Sequence, residues 1–260
     1  MSTPLLSVQG LTITYRRPGL ERIVAANDVS FSLERGEVLG LVGESGCGKS
    51  TLARAVCGLE RSESGQILFN GNQVKPLKNR RRPPHLMGIQ MVFQNPYASL
   101  NPRRTVASQI EDGIRASPKA ERWSVTELLE EVELERSAAT RFPHEFSGGQ
   151  RQRIAIARAI AAGPDLLIGD EPIASLDASL QSKIALLMRK LAFESDAALL
   201  FISHDLAVVR VVADQAAVMQ RGRIVERGPV AEIWEHPQDP YTQRLLSAIP
   251  VVDGLGRLPG

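Results

Sequence analysis

A glycine-rich loop follows directly on a short apolar segment, and this pairing constrains the fold more than any other feature of the chain. Residues 38–42 read VLGLV, and residues 43–50 read GESGCGKS, a complete G-x-x-x-x-G-K-[ST] pattern. Glycines allow backbone N–H groups to turn inward around phosphate groups, and a helix beginning near Lys49 adds its positive dipole end. The pattern predicts a strand–loop–helix unit that binds a nucleoside triphosphate, in preference to an ordinary glycine-rich turn.

Two side chains of this loop are candidates for direct chemistry. Lys49 should reach the β and γ phosphates as a point charge, and Ser50 should ligate Mg²⁺. Cys47 occupies a position that the pattern leaves open, near a helix N-terminus where a thiol can become reactive towards alkylating agents. The predicted nucleotide-binding residues of the segment are Gly43, Glu44, Ser45, Gly46, Cys47, Gly48, Lys49, Ser50 and Thr51.

Two adjacent carboxylates, Asp170 and Glu171, end an apolar run at residues 166–169. A central strand would deliver Asp170 to the carboxyl edge of a sheet beside the loop, where it should hold Mg²⁺ directly or through water. Glu171 should point elsewhere, and it is the candidate general base for an attacking water. The alternative, two solvated turn carboxylates, is disfavoured by the intact phosphate loop.

A second glycine-rich helix start lies between these two motifs. Its serine offers a hydroxyl, its glycines offer bare backbone N–H groups, and the helix at residues 150–160 offers a dipole. One nucleotide does not need two such cradles, so we expect the sites to lie between two subunits. Taken alone, the motif would indicate only a helix N-cap. Its residues are Phe146, Ser147, Gly148, Gly149 and Gln150.

The hydrophobic pattern predicts an α/β fold, with a mainly parallel sheet covered by helices on both faces and an inserted helical subdomain. Together with the phosphate loop this predicts a P-loop NTPase core, and the family resemblance given below implies an antiparallel β subdomain as well. Residues 6–15 alternate apolar and polar side chains, as an edge strand with one wet face would. The other predicted strands are 29–33, 38–42, 66–69, 89–93, 166–169, 199–203, 216–220 and 223–226. The predicted divisions are 1–94 and 161–229 for the core, 95–160 for the helical subdomain and 230–260 for a helical tail.

Composition excludes several classes of protein. The chain has 260 residues, 43% hydrophobic and 23% charged, with a net charge of +2, so nothing calls for nucleic acid. The basic run at residues 79–84 lacks interleaved aromatics and is interpreted as a solvated loop. We expect no signal peptide and no membrane span, since the most apolar stretch, 197–219, contains charged residues. Cys47 and Cys57 lack metal or disulfide spacing, which favours a reducing cytoplasm.

With these motifs in this order, the chain resembles the ATP-binding subunit of an ABC transporter over nearly its full length. The family signature is usually Leu-Ser-Gly-Gly-Gln, and Phe146 here replaces the leucine, an apolar change that should leave function intact. The resemblance implies hydrolysis of ATP with Mg²⁺ in a head-to-tail dimer. In such a dimer Ser147 and its glycines bind the γ-phosphate that the opposite subunit holds.

Four further positions match the family. Tyr15 lies where an aromatic ring stacks on adenine, although simple packing is the alternative. Gln94 matches the glutamine that touches Mg²⁺ or water and senses the membrane partner. Asp177, in Ser175-Leu176-Asp177, matches the loop that crosses to the other subunit, and His204 matches the histidine that contacts the γ-phosphate.

Residues 92–103 and 236–250 resemble the dipeptide, oligopeptide and nickel importers, and neither segment is expected to touch nucleotide. The resemblance implies a peripheral protein at the cytoplasmic face of the cell membrane. Its partners would be a second ATPase subunit (a related chain or a second copy), two transmembrane permease subunits and, indirectly, an extracytoplasmic solute-binding protein. The absence of a cysteine-rich tail favours the partner-type subunit of such importers.

Two alternatives belong to other functional classes. A soluble ABC ATPase of DNA repair, chromosome structure or translation is disfavoured, because no sustained heptads separate Lys49 from Ser147 and only one ATPase domain is present. A regulatory ATPase that binds a transporter without powering it is disfavoured by Glu171 and His204.

Overall fold

The computed structural model describes residues 3–16, 22–77, 82–116, 123–174 and 176–248. Ten strands and nine α-helices are assigned within these ranges. The strands are β1 Leu6–Tyr15, β2 Ile23–Leu33, β3 Val38–Val42, β4 Ser64–Phe69, β5 Asn72–Gln73, β6 Ile89–Val92, β7 Leu166–Asp170, β8 Ala198–Ser203, β9 Gln215–Gln220 and β10 Arg223–Pro229. The helices are α1 Lys49–Val56, α2 Pro96–Ser99, α3 Val106–Ala116, α4 Val125–Glu131, α5 Gly148–Ala161, α6 Ala178–Glu194, α7 Leu206–Val212, α8 Val230–Glu235 and α9 Pro240–Ser247.

A six-stranded sheet with the order β10-β9-β3-β8-β7-β6 forms the centre of the fold. Its strands β9, β3, β8, β7 and β6 run parallel, and β10 returns antiparallel to β9 as the predicted hairpin. Every residue of β3, β7 and β8 is buried. Continuous apolar strands of this kind need cover on both faces, and the predicted α/β class is confirmed.

A second, antiparallel sheet has the order β2-β1-β4-β5. The prediction that residues 6–15 form an edge strand is wrong, because β1 pairs with β2 on one side and β4 on the other. The alternating pattern indicates only that one face of β1 is buried, and Val8, Leu11 and Ile13 on that face lie in the core. It carries no information on how many neighbours the strand has.

The two faces of the large sheet pack against different elements. The side chains of β3 alternate between the two hydrophobic cores that result. Val38 and Val42 join the core shared with the helices of residues 96–161 and with α6 and α7. Leu39 and Leu41 join the core shared with the antiparallel sheet and α1. Successive side chains of a strand point to opposite faces, so one apolar run serves both cores.

Helices α2 to α5 occupy the segment predicted to be a helical subdomain, although the division at residues 95–160 itself stays a prediction. Helix α5 begins at Gly148, earlier than the predicted start at 150, because Ser147 caps it. Helices α8 and α9 form the described part of the tail, and residues 249–260 lie outside the described residues. Among the helices that are described, none is both long and apolar enough to cross a bilayer.

Candidate functional site

The glycine-rich loop connects β3 to α1, as the sequence predicts. Gly48 is the N-cap of α1 in a left-handed conformation, with φ of 111°. A Cβ atom at Gly48 would lie 1.9 Å from the carbonyl oxygen of Ala25, so no other residue fits there. The loop is therefore packed against β2 on its outer side, and its curvature depends on glycine.

Lys49 is enclosed by this loop, and its side chain is only 3% exposed. Its ammonium donates to the carbonyl oxygens of Gly43 at 2.7 Å and Glu44 at 2.9 Å. The same nitrogen lies 3.9 Å from Oε1 of Glu171. A buried ammonium with these partners is a fixed positive charge at the loop, which suits it to bind phosphate oxygens.

Ser50 and Asp170 come together at the end of β7. The Ser50 hydroxyl donates to Asp170 Oδ1 at 2.7 Å, although the two residues are far apart in sequence. Burial raises the pKa of Asp170, while the Ser50 hydrogen bond acts in the opposite direction. Where residues are described, no group of three His, Cys, Asp or Glu side chains could hold a metal ion unaided. A hydroxyl and a carboxylate oxygen nevertheless fit Mg²⁺, which protein sites hold with one or two side chains plus substrate phosphates.

Glu171 lies among the other candidate catalytic side chains. Gln94 Nε2 donates to Glu171 Oε2 at 3.2 Å, and His204 Nδ1 lies 3.7 Å from the same oxygen. Glu171 has a φ of 47°, a left-handed backbone that is uncommon for this residue type. Its N–H donates to the Ile202 carbonyl on β8 at 3.0 Å, which fixes the turn. This turn separates the two adjacent carboxylates, as the sequence analysis expected.

A cavity of about 360 Å³ lies beside these groups, with Lys49, Ser50, Gln94 and Glu171 in its lining, whereas Asp170 and His204 are outside the lining. Tyr15 lines it at one end, and the Tyr15 hydroxyl donates to Thr51 Oγ1 at 3.4 Å. Ile23, Val24 and Arg54 also line the cavity and were not predicted. Ile23 and Val24 are large apolar residues that are exposed in the structure, and the sequence alone does not predict this exposure. The predicted residues in the lining are Tyr15, Ser45, Gly46, Gly48, Lys49, Ser50, Thr51, Gln94 and Glu171.

Cys47 is buried within the loop, with 8% exposure. Burial raises the pKa of its thiol, and this outweighs the opposing effect of Lys49. The reactive thiol suggested by the helix N-terminus is therefore disfavoured, because desolvation suppresses the thiolate that reacts.

The second glycine-rich motif is not brought to the loop. Ser147 Oγ accepts the Gln150 N–H at 3.3 Å, and Gln150 Oε1 accepts the Ser147 N–H at 3.0 Å. Ser147, Gly149 and Gln150 line a different cavity, of about 520 Å³, together with Leu180 of α6. Over the described residues, this cavity and the loop cavity share no lining residue.

Phe146, which precedes this motif, is buried in the helical core, and the Arg141 guanidinium lies 4.3 Å from its ring centroid. The ring thus takes the core position expected of an apolar residue and gains a cation–π contact. Asp177 is exposed just before α6, and its carbonyl oxygen accepts the Leu180 N–H at 2.8 Å. Ser175, predicted to lie in the same crossing loop, falls outside the described residues.

The tail makes one contact that the sequence analysis missed. Tyr241 of α9 accepts the backbone N–H of Glu44 at its hydroxyl oxygen, at 3.1 Å. The segment at residues 236–250 is not expected to touch nucleotide, and no local sequence signal links residues 44 and 241.

The ABC transporter family profile matches residues 26–174, which include the loop and both carboxylates. The chain therefore belongs to the ABC transporter family, as an ATP-binding subunit that hydrolyses ATP. Relatives of the chain include oligopeptide and glutathione transport proteins, described next, so within this family it is an importer-type subunit.

The oligopeptide transport ATP-binding protein OppF of Bacillus subtilis is 47% identical over 259 residues, covering 97% of this chain and 85% of that protein. The oligopeptide transport protein AppF of the same organism is 47% identical, covering 88% of this chain and 71% of that protein. The glutathione import protein GsiA of Salmonella typhimurium is 45% identical, covering 96% of this chain and 42% of that protein.

Solved structures agree with this assignment. A dimeric post-hydrolysis state of the ATP-binding cassette MJ0796, bound to ADP and Pi, has a TM-score of 0.73 and 27% identity, covering 86% of this chain and 98% of that chain. CbiO1 from Clostridium perfringens, part of the ABC transporter complex cbiONQ, has a TM-score of 0.73 and 27% identity, covering 90% and 92% of the two chains.

Proposed function

We propose that this ATPase hydrolyses Mg²⁺-ATP at the interface with a second ATPase subunit and thereby powers the import of a peptide-class solute. The observation that carries the proposal is the separation of the two glycine-rich motifs into cavities with no shared lining residue. The site around a phosphate held by the loop of one chain can therefore be completed only by Ser147 of a second chain. The MJ0796 cassette, which is dimeric in a post-hydrolysis state with ADP and Pi, supports action as a dimer.

In this proposal the loop binds the triphosphate, and Lys49 keeps the Gly43 carbonyl as one acceptor while its other N–H groups turn to β- and γ-phosphate oxygens. The N–H groups of the loop that line the cavity surround the phosphates, and Tyr15 with Ile23 and Val24 offers an apolar wall for adenine. Ser50, Asp170 and the Gln94 amide oxygen would hold Mg²⁺, since all three offer the hard oxygen ligands that it prefers. The bound metal would supply charge neutralisation on the phosphates.

Glu171 acts as the general base in this proposal. Its carboxylate faces Gln94 and His204 at the end of the cavity, where an attacking water would be oriented towards the γ-phosphate. His204 would contact that phosphate and keep Glu171 in place. Lys49, 3.9 Å from Glu171, keeps a positive charge beside the base before the nucleotide binds.

The partner subunit would supply Ser147, Gly148, Gly149 and Gln150 to the γ-phosphate, with Asp177 at the crossing between chains. The capping box already orders this helix start, so its N–H groups are preformed. Charge stabilisation in the closed, dry interface would supply most of the rate enhancement.

Coupling to transport would run through the helical subdomain, residues 95–160. Gln94 joins the catalytic carboxylate to the chain that enters α2, so closure at Glu171 is transmitted to the helices. Two membrane permeases would receive this motion at the cytoplasmic face, with a solute-binding protein outside. OppF, AppF and GsiA are named for oligopeptide and glutathione transport, which favours a peptide-class cargo over nickel.

The cargo is tested by uptake of labelled tri- to pentapeptides in cells that carry Lys49→Ala at the native locus. We expect the variant to lose peptide uptake while free amino acid uptake, the control, is unchanged. Unchanged peptide uptake with a lost uptake of another solute would reject the peptide class and leave the ATPase intact.

A further inference from the structure

The C-terminal tail contacts the phosphate loop through a buried tyrosine. Tyr241 lies in the first turn of α9, and its hydroxyl oxygen accepts the Glu44 N–H at 3.1 Å. The side chain is 4% exposed and is absent from the described lining of the nucleotide cavity. Tyr241 therefore acts on the loop itself, without contact to whatever the loop binds.

The N–H that Tyr241 holds shares a peptide unit with a carbonyl that holds Lys49. In a trans peptide the N–H and C=O are planar and point in opposite directions. The Glu44 N–H points to Tyr241, and the Gly43 C=O of the same unit accepts the Lys49 ammonium at 2.7 Å. A rotation that released Tyr241 would also turn this carbonyl away from Lys49.

The tyrosine is held by a fixed support on the large sheet. The Glu226 carboxylate of β10 accepts the N–H groups of Gln238 at 2.8 Å and Asp239 at 3.1 Å. Asp239 in turn caps α9, accepting the Tyr241 N–H at 2.7 Å. Burial raises the pKa of Tyr241, so its phenol keeps its proton. A neutral hydroxyl at the end of this chain of contacts presents a stable acceptor to the loop.

We propose that Tyr241 is a positioning residue of the ATP site: it fixes the Gly43–Glu44 peptide and so preforms the loop and Lys49 for phosphate binding. The inference rests on the function proposed above, because it concerns the same nucleotide site. Preorganisation lowers the cost of ordering on binding. Loss of the Tyr241 hydroxyl should therefore lower the affinity for nucleotide, and the rate of the chemical step should change little.

The neighbouring residue provides a matched control. Thr242 is 0% exposed, lies on the same helix, and its hydroxyl has no hydrogen-bond partner among the described residues. Thr242→Val and Tyr241→Phe each remove one buried hydroxyl from α9. Only the second removes a contact to the phosphate loop.

The test measures the dissociation constant of ADP for the full chain, by titration calorimetry, at a temperature where circular dichroism shows each variant folded. Tyr241→Phe should weaken ADP about fivefold, the ratio expected for one net hydrogen bond. The KM for ATP should rise by the same factor with kcat within about twofold. Thr242→Val should leave these quantities unchanged.

An unchanged ADP affinity in Tyr241→Phe, or an equal loss in Thr242→Val, would overturn the inference. A fall in kcat with unchanged KM would also overturn it, because the hydroxyl would then act in the transition state. ADP binding needs neither hydrolysis nor a second subunit. This test can therefore fail or succeed independently of the proposed dimer mechanism.

Discussion

Glu171 follows Asp170 directly, yet the two carboxylates lie in different surroundings. Asp170 is buried against Ser50, whereas Glu171 turns through a left-handed backbone to face Gln94 and His204. If the two adjacent carboxylates had the same environment, one could not bind the metal while the other acts as the base. The backbone turn at Glu171 makes the division possible.

The assignment of the base predicts the behaviour of Glu171→Gln. The amide keeps the shape but cannot accept a proton, so hydrolysis should fall about 100-fold or more, the lower end of general-base effects. ATP binding should persist, and ATP-bound dimers should accumulate in size-exclusion chromatography. Glu111→Gln, at a half-exposed position on α3, is the control and should retain full turnover. Turnover above a few per cent in Glu171→Gln would show that another group is the base.

The buried Asp170 predicts an unusual dependence of stability on pH. Its pKa is raised in the folded protein, so the folded state loses stability as pH rises from the ordinary aspartate pKa through the raised value. Asp170→Asn removes this loss. The nucleotide-free variant should melt about 2 °C higher or more at neutral pH. The gain should disappear in acid, and ATPase activity should be lost. A lower melting temperature at neutral pH would contradict the burial argument.

The glycines at the start of α5, Gly148 and Gly149, are not needed for the fold of a single chain. A Cβ at Gly148 would meet no atom within 4 Å, and neither Gly148 nor Gly149 has a positive φ. The fold of one chain therefore does not require glycine there, in contrast to Gly48. Contact with the proposed partner subunit would account for the small residues at this helix start.

This contrast predicts the outcome of Gly148→Ala. Alanine favours a helix over glycine, so the melting temperature should stay equal or rise. ATPase activity should fall several-fold, because the added methyl group stands between the helix start and the partner's phosphate. Ser147→Ala tests the cap separately and should lower stability by about 1 kcal/mol. Full activity in Gly148→Ala would remove this surface from the interface.

The elements also show how far sequence reasoning extends. The apolar runs of β3, β7 and β8 and the loop motif were enough to predict the parallel sheet and the meeting of Lys49, Ser50, Asp170 and Glu171, because parallel strands end at one edge. The position of β1 between two neighbours was missed, since alternation does not count neighbours. The contact of Tyr241 with Glu44 was missed because it depends on how the tail packs across the sheet.

At the scale of the whole molecule, the two glycine-rich motifs lie at separate cavities of one chain, and the proposed site needs both motifs. The loop cavity is lined by Lys49, Ser50, Gln94 and the proposed base Glu171, while Ser147 lines another cavity. Activity should therefore depend on the encounter of two subunits. A chain whose own residues completed the site would show no such dependence.

The most direct test measures ATPase rate per chain over a wide range of protein concentration, with the oligomeric state followed by sedimentation in the same buffer. The rate per chain should rise with concentration in parallel with the fraction of dimer. It should also rise when Glu171→Gln protein is replaced by wild-type protein at constant total concentration. A full rate per chain at dilutions where only monomers sediment would rule out a site shared between two subunits.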